Sequence, residues 1–362
     1  MHIGRLSRCA FALLFISAGA AAAQQRGTQN PQPQTPRPPD PDTVALVQLV
    51  DAAIVASPAV QAVDRAQGEL AIKWESSHFI KGQNGSYVPF TVTFDPSVIR
   101  STEVALYVRA IEKSQVPAVV AALTPAPANS KPRPDPKYAW DKVHFLAKPS
   151  DGRITRALAL PPGEYELFVA MKERSTSVPM VTSTPPTASP SRSGLLRHAV
   201  AAPDFSKAEL QTSSILLASA VQPVTGQLTA AEQEANPYVF GPMRIVPSRD
   251  GRFTKSTELQ VLFWVYGASA RTEGKPDVLI DYNFYLKQPD GAEKYFNKTK
   301  PQELNAGTLP PEFSIVAGHQ LPGSLIVPLM SFPAGDYRLE IKVTDKPSGK
   351  VVTQDLPFTV TG

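Results

Sequence analysis

Leu160-Pro-Pro-Gly163-Glu-Tyr165-Glu-Leu167 and Phe332-Pro-Ala-Gly335-Asp-Tyr337-Arg-Leu339 are one phrase written twice in this chain. In both, an apolar residue and a proline lead into a glycine, then an acidic residue, then a tyrosine that opens a run of alternating character. A proline–glycine pair is turn chemistry, and alternation has the two-residue period of a strand with one buried face. The surroundings repeat as well: Tyr87 precedes Tyr165 by the same 78 residues by which Leu259 precedes Tyr337. Two diverged copies of one β-unit follow, with Gly163, Tyr165, Gly335 and Tyr337 as structural corners. The ring of each tyrosine is expected in the core and its hydroxyl on a backbone group.

Working outward, Val88, Phe90, Val92 and Phe94 alternate with Pro89, Thr91 and Thr93, and Val104, Leu106 and Val108 continue the series. In the second copy Leu259, Val261, Phe263 and Val265 alternate, then Val278, Ile280, Tyr282, Phe284 and Leu286, then Tyr337, Leu339, Ile341 and Val343. The predicted fold class is all-β: two tandem immunoglobulin-like β-sandwiches with one short N-terminal helix and a short linker helix. The N-terminal helix is expected over Thr43–Ser57 behind Asp42 as N-cap. Val44, Val47, Asp51 and Ile54 share its face, and the charge among them leaves a buried strand as the alternative. Thr229-Ala-Ala-Glu232 is a capping box that opens the linker helix. Ala199–Val221 reads as supplying the last strand of the first unit. The segments are 1–23 signal peptide, 24–42 proline-rich spacer, 43–68 helical connection, 69–224 first sandwich, 225–236 linker and 237–362 second sandwich. Gln115–Lys137 and Ser175–Gly194 are rich in proline or in Ser, Thr and Pro, and read as mobile loops within the first copy.

The first 23 residues place Arg5 and Arg8 before an apolar run from Cys9 to Ala20 and an Ala21-Ala22-Ala23 cleavage site, the layout of an export signal. That run is too short to span a bilayer. Localisation is therefore expected to be exported, periplasmic or extracellular. Cys9 is the single cysteine of the 362 residues, so the mature chain has no disulfide, cysteine–metal site or thiol nucleophile. Proline is abundant at 37 residues, and Pro31 to Pro41 form a semi-rigid spacer. With 36 basic and 32 acidic residues interspersed, no basic stripe suits nucleic acid.

Nucleophile, phosphate and zinc motifs are missing: no G-x-S-x-G, S-x-x-K, G-x-x-x-x-G-K-[ST] or H-E-x-x-H occurs. His78, His144, His198 and His319 are spread too widely for a local metal set and read as structural or solvated. Asp151-Gly152, Asp250-Gly251 and Asp290-Gly291 are turns. Asn84-Gly-Ser86 and Asn297-Lys-Thr299 match glycosylation sequons. No catalytic residue, cofactor or metal ligand is assigned. One feature breaks the sandwich pattern: with Val261, Phe263 and Val265 inward, Leu262, Trp264 and Tyr266 face out, where sandwiches are polar. They form either a contact surface for a partner or glycan, or a patch covered by another part of the chain.

Pro203-Asp-Phe-Ser with Leu210-Gln-Thr-Ser-Ser-Ile-Leu-Leu-Ala218, Asn236-Pro-Tyr-Val-Phe-Gly241, and Phe332 to Lys346 resemble the β-sandwich regions that accompany von Willebrand factor A-related domains in exported acidobacterial proteins. The resemblance runs from Trp74 to the C-terminus and lies in structural corners. It implies a sandwich fold without the A domain. No D-x-S-x-S adhesion motif exists, since Asp95-Pro-Ser97 is followed by Val98 and Ile99, and Asp204-Phe-Ser206 by Lys207 and Ala208. The functional expectation is a non-catalytic binding, adhesion or envelope-scaffold protein, its partner a protein or cell-envelope component. The alternatives are a hydrolase, carbohydrate-active or other, with carboxylates from distant strands, and a periplasmic assembly factor or chaperone.

Overall fold

The computed structural model describes residues 39–56, 65–125, 135–175, 191–271 and 274–362. The expected export signal, the expected spacer up to residue 38, and residues 126–134 and 176–190 of the two expected loops lie outside the described residues. The chain divides into two compact units. One holds the described residues up to Lys207 together with Val224–Val239, the other Ala208–Pro223 with Phe240–Gly362.

The first unit comprises α1 (Pro41–Ala56), β1 (Arg65–Gly68), β2 (Lys73–Ser77), β3 (Ile80–Lys81), β4 (Ser86–Thr93), β5 (Glu103–Glu112), α2 (Val116–Leu123), β6 (Trp140–Ala147), β7 (Arg153–Leu160), β8 (Gly163–Glu173), β9 (Ser193–Ala202) and α3 (Ala230–Ala235). One sheet runs β1-β9-β8-β5-β6; the other runs β2-β4-β3, with β7 also on β4. Val88, Phe90 and Val92 of β4 meet Val104, Leu106 and Val108 of β5 and Leu167, Val169 and Met171 of β8 between the sheets. The outer side of the five-stranded sheet is also dry. Ala105, Tyr107, Phe168, Ala170 and Leu195 are buried there with Leu46, Val50 and Ile54 of α1 and Val116 and Val119 of α2. β5 is therefore buried on both faces, as a strand sandwiched between two layers must be, with Arg109 on the helix side paired to Asp51 of α1.

Three expectations are corrected here. The helix cap is Asp40, not Asp42: with Pro41 at the first helical position, the Asp40 Oδ1 accepts from the Asp42 and Thr43 backbone N–H groups at 2.9 and 3.4 Å. Asp42 instead takes the Ser175 N–H at 3.0 Å and pairs with Lys172. The buried stripe of α1 is Leu46, Val50 and Ile54, while Val44 is exposed and Asp51 reaches the Arg109 guanidinium of β5. The segment 115–137 is not loop throughout, because Val116–Leu123 forms α2 and turns its apolar residues onto the sheet.

The second unit comprises β10 (Gln211–Thr212), β11 (Leu216–Pro223), β12 (Val239–Phe240), β13 (Met243–Pro247), β14 (Arg252–Thr254), β15 (Glu258–Tyr266), β16 (Val278–Lys287), β17 (Glu293–Lys298), β18 (Gln302–Leu304), β19 (Leu321–Pro328), β20 (Gly335–Asp345) and β21 (Lys350–Thr361). Its sheets run β14-β21-β20-β16-β17, with β18 on β16, and β10-β15-β11-β13-β12, with β19 on β15. The strand expected to finish the first unit within 199–221 is thereby reassigned. β9 finishes it, and Leu216, Leu217 and Ala218 pair with Leu262, Val261 and Gln260 of the second unit. The linker expected over 225–236 does carry its short helix, α3, and the segment Val224–Val239 groups with the first unit.

The two copies match where the repeated phrase predicts. β4 and β15 begin one residue before Tyr87 and Leu259, and β8 and β20 begin at Gly163 and Gly335. The Tyr165 hydroxyl donates to the Pro161 carbonyl at 2.9 Å, and the Tyr337 hydroxyl to the Pro333 carbonyl at 2.8 Å. Both rings are buried. A buried tyrosine near the start of a late strand whose hydroxyl bonds back to the corner a few residues upstream is the tyrosine corner of immunoglobulin-type sandwiches. Gly163 and Gly335 take φ of 153° and 157°, which frees the chain to enter the strand.

Candidate interaction surfaces

Leu262, Trp264 and Tyr266 lie on β15, opposite to Leu259, Val261, Phe263 and Val265, which fill the core. Leu262 and Trp264 are half-buried and Tyr266 is buried. The Trp264 ring packs on Phe240 with centroids 4.9 Å apart. Across the pair, Leu216 opposes Leu262 and is fully buried, as is Ala218 opposite Gln260. On the other flank Gly323 opposes Phe263, and a Cβ there would stand 2.3 Å from the Phe263 ring, so this strand pair needs a bare backbone. Of the three residues the sequence marks as a contact surface, Tyr266 is thus buried and Trp264 is partly covered by Phe240.

A different face of the second unit stays open. On the outer side of β17-β16-β20-β21, Tyr285 opposes Tyr295 and Arg338. The two rings meet edge to face at 5.8 Å, and the Arg338 guanidinium lies 4.3 Å from the Tyr285 centroid. Arg338 donates to Glu293 at 2.7 Å and to Asp355 at 2.6 Å, and Asn283 donates to Glu340 at 3.1 Å. Burial works against the charge of Arg338, yet Glu293 and Asp355 hold its pKa above the ordinary arginine value. Tyr295 is 51% exposed. No described helix covers this face, whereas its counterpart in the first unit lies under α1 and α2. Tyr285 shares its strand with Tyr282 and Phe284, which fill the core. Its outward parity there is the sequence signal for this site.

The four described histidines are separated and each has a structural contact. His78 Nδ1 lies 2.7 Å from the Tyr238 hydroxyl, His144 Nδ1 lies 2.5 Å from Glu234, His198 stacks on Trp74 at 4.1 Å, and His319 Nδ1 accepts from the Ser314 N–H at 3.1 Å. Asp95 and Asp204 close small turns, each accepting from the backbone N–H and hydroxyl of the serine two residues on. These bonds hold both carboxyls below their ordinary pKa. Among the described residues, no three His, Cys, Asp or Glu side chains gather as a metal cluster. No described helix is long and apolar enough to cross a membrane.

Strand order, the doubled tyrosine corner and the two dry cores define a chain of tandem immunoglobulin-like sandwiches. No protein-family model matches it, and no curated protein does. Among solved structures it is similar to trypsin-activated α2-macroglobulin from Escherichia coli, at 11% identity and TM-score 0.23, covering 83% of this chain and 17% of that one. Salmonella α2-macroglobulin reacted with methylamine gives 12%, 0.20, and the same coverage. An immunoglobulin-like protein from Pseudomonas aeruginosa gives 10% and 0.20, covering 41% of this chain and 97% of that one. The chain therefore spans about a sixth of the macroglobulins. At these scores the superpositions carry no argument, and the assignment rests on the strand order and corners above.

Proposed function

We propose that this chain is an exported, non-catalytic tandem sandwich that presents the open face of its second unit to a protein or cell-envelope partner, with the proline-rich segment as a stalk. The observation that supports this reading most is the contrast between equivalent sheets. In the first unit the face is closed by α1 and α2; in the second it displays Tyr285, Tyr295 and Arg338. Tyrosine and arginine are the residue types enriched where proteins meet, because each combines a large apolar surface with a polar tip. Strand-edge addition, the chaperone alternative, is disfavoured at β19 by its own chemistry. The Ser324 N–H, which points away from β15, is taken by Gln302 at 3.1 Å, and Pro322 and Pro328 on the same parity have no N–H to offer.

A photo-crosslinking residue at Tyr295, compared with one at exposed Lys255 in the native envelope, tests the reading. One discrete adduct at Tyr295 that is lost with Arg338→Ala supports it. Equal smears at both sites, or turnover in a screen of glycosides and esters, contradicts it.

A further inference from the structure

Val224–Val239 leaves the second unit, docks on the first and returns. Tyr238 and Val239 are buried, and the polar contacts that help hold the segment there involve two histidines. Tyr238 meets His78 through its hydroxyl at 2.7 Å and edge to face with centroids 5.6 Å apart, and the Tyr87 hydroxyl donates to the Pro237 carbonyl at 3.0 Å. Glu234 of α3 pairs with His144 at 2.5 Å and with Lys142 at 2.8 Å. The charged groups around these contacts are Glu75 and Arg153, paired with each other near Tyr238, and Arg156 near Glu234 and His144. His144 is buried and His78 half-buried.

We infer that Val224–Val239 is an acid-released latch, docked on the first sandwich while His78 and His144 are neutral and let go when they take up protons. Burial lowers the pKa of His78 from 6.5 to about 4. Burial also lowers that of His144, which Glu234 opposes without reversing and Arg156 and Lys142 reinforce. A histidine held below its free pKa penalises the docked state as pH falls from 6.5 towards 4, because only the released form binds the proton freely. Burial raises the Glu234 carboxyl, but Lys142 and His144 outweigh it and hold it below 4.5, so acid weakens that anchor too. If release returns His78 to its free value, docking at pH 5 weakens roughly twenty-fold relative to pH 7 from this ring alone.

Amide hydrogen exchange on the full chain, corrected for intrinsic rates, reads this directly. Between pH 7.5 and 5, protection over 224–239 falls twenty-fold or more while that of β8 is unchanged. Unchanged protection over 224–239 overturns the inference, as does an equal fall in the His78→Gln/His144→Gln variant. Should that variant already be released at pH 7.5, the titration of His78 in the unaltered protein by NMR decides. A midpoint near 4 upholds the latch, and one near 6.5 overturns it.

Discussion

Removing one oxygen from Tyr165 or Tyr337 leaves the Pro161 or Pro333 carbonyl without its partner and little else disturbed. Tyr165→Phe and Tyr337→Phe are each expected to cost about 1–2 kcal/mol, measured by denaturant unfolding. Tyr337→Ala costs more, about 3–5 kcal/mol, because its ring also packs on Phe332 at 5.4 Å and Phe358 at 5.2 Å. Gly323→Ala drives a methyl into the Phe263 ring and is expected to cost about 1–3 kcal/mol by the same measurement. The corners were legible in the sequence because a proline, a glycine and a tyrosine four residues past the proline make the motif within one turn of chain. The fate of Leu262, Trp264 and Tyr266 was not legible, since what covers that face, Phe240 among it, comes from segments with no local mark.

At the scale of elements, α1 depends on both an apolar stripe and charges that arrive from distant strands. Leu46→Ala removes a fully buried side chain and is expected to cost about 2–5 kcal/mol. Asp40 and Asp42 bond Arg174 and Lys172, and these contacts outweigh burial to hold both carboxyls below 3.8. Their contribution is present above that pH and is lost as pH falls through the lowered values. Exchange protection in 41–56 is therefore expected to fall in acid, and in Asp42→Asn to be reduced already at neutral pH. Amphipathicity alone could not reveal this helix's face: Asp51 sits beside the stripe because Arg109 awaits it, and that partner lies 58 residues away. The capping box at Thr229 and Glu232 was readable, since both bonds close within three residues.

For the molecule as a whole, the chain is two sandwiches whose boundary in sequence is not their boundary in space. Composition and alternation made the all-β class and its doubling readable, because period and spacing are properties of the sequence itself. The exchange of Ala208–Pro223 was not readable, since a short apolar strand carries no sign of which sheet it completes. Thermal unfolding of two fragments, 208–362 and 225–362, tests the division most directly. The first retains the partners that Leu216–Ala218 give to Leu262–Gln260 and is expected to melt cooperatively; the second lacks them and is expected to melt at least 10 °C lower or not to fold. A 225–362 fragment as stable as 208–362 would contradict the account of the second sandwich.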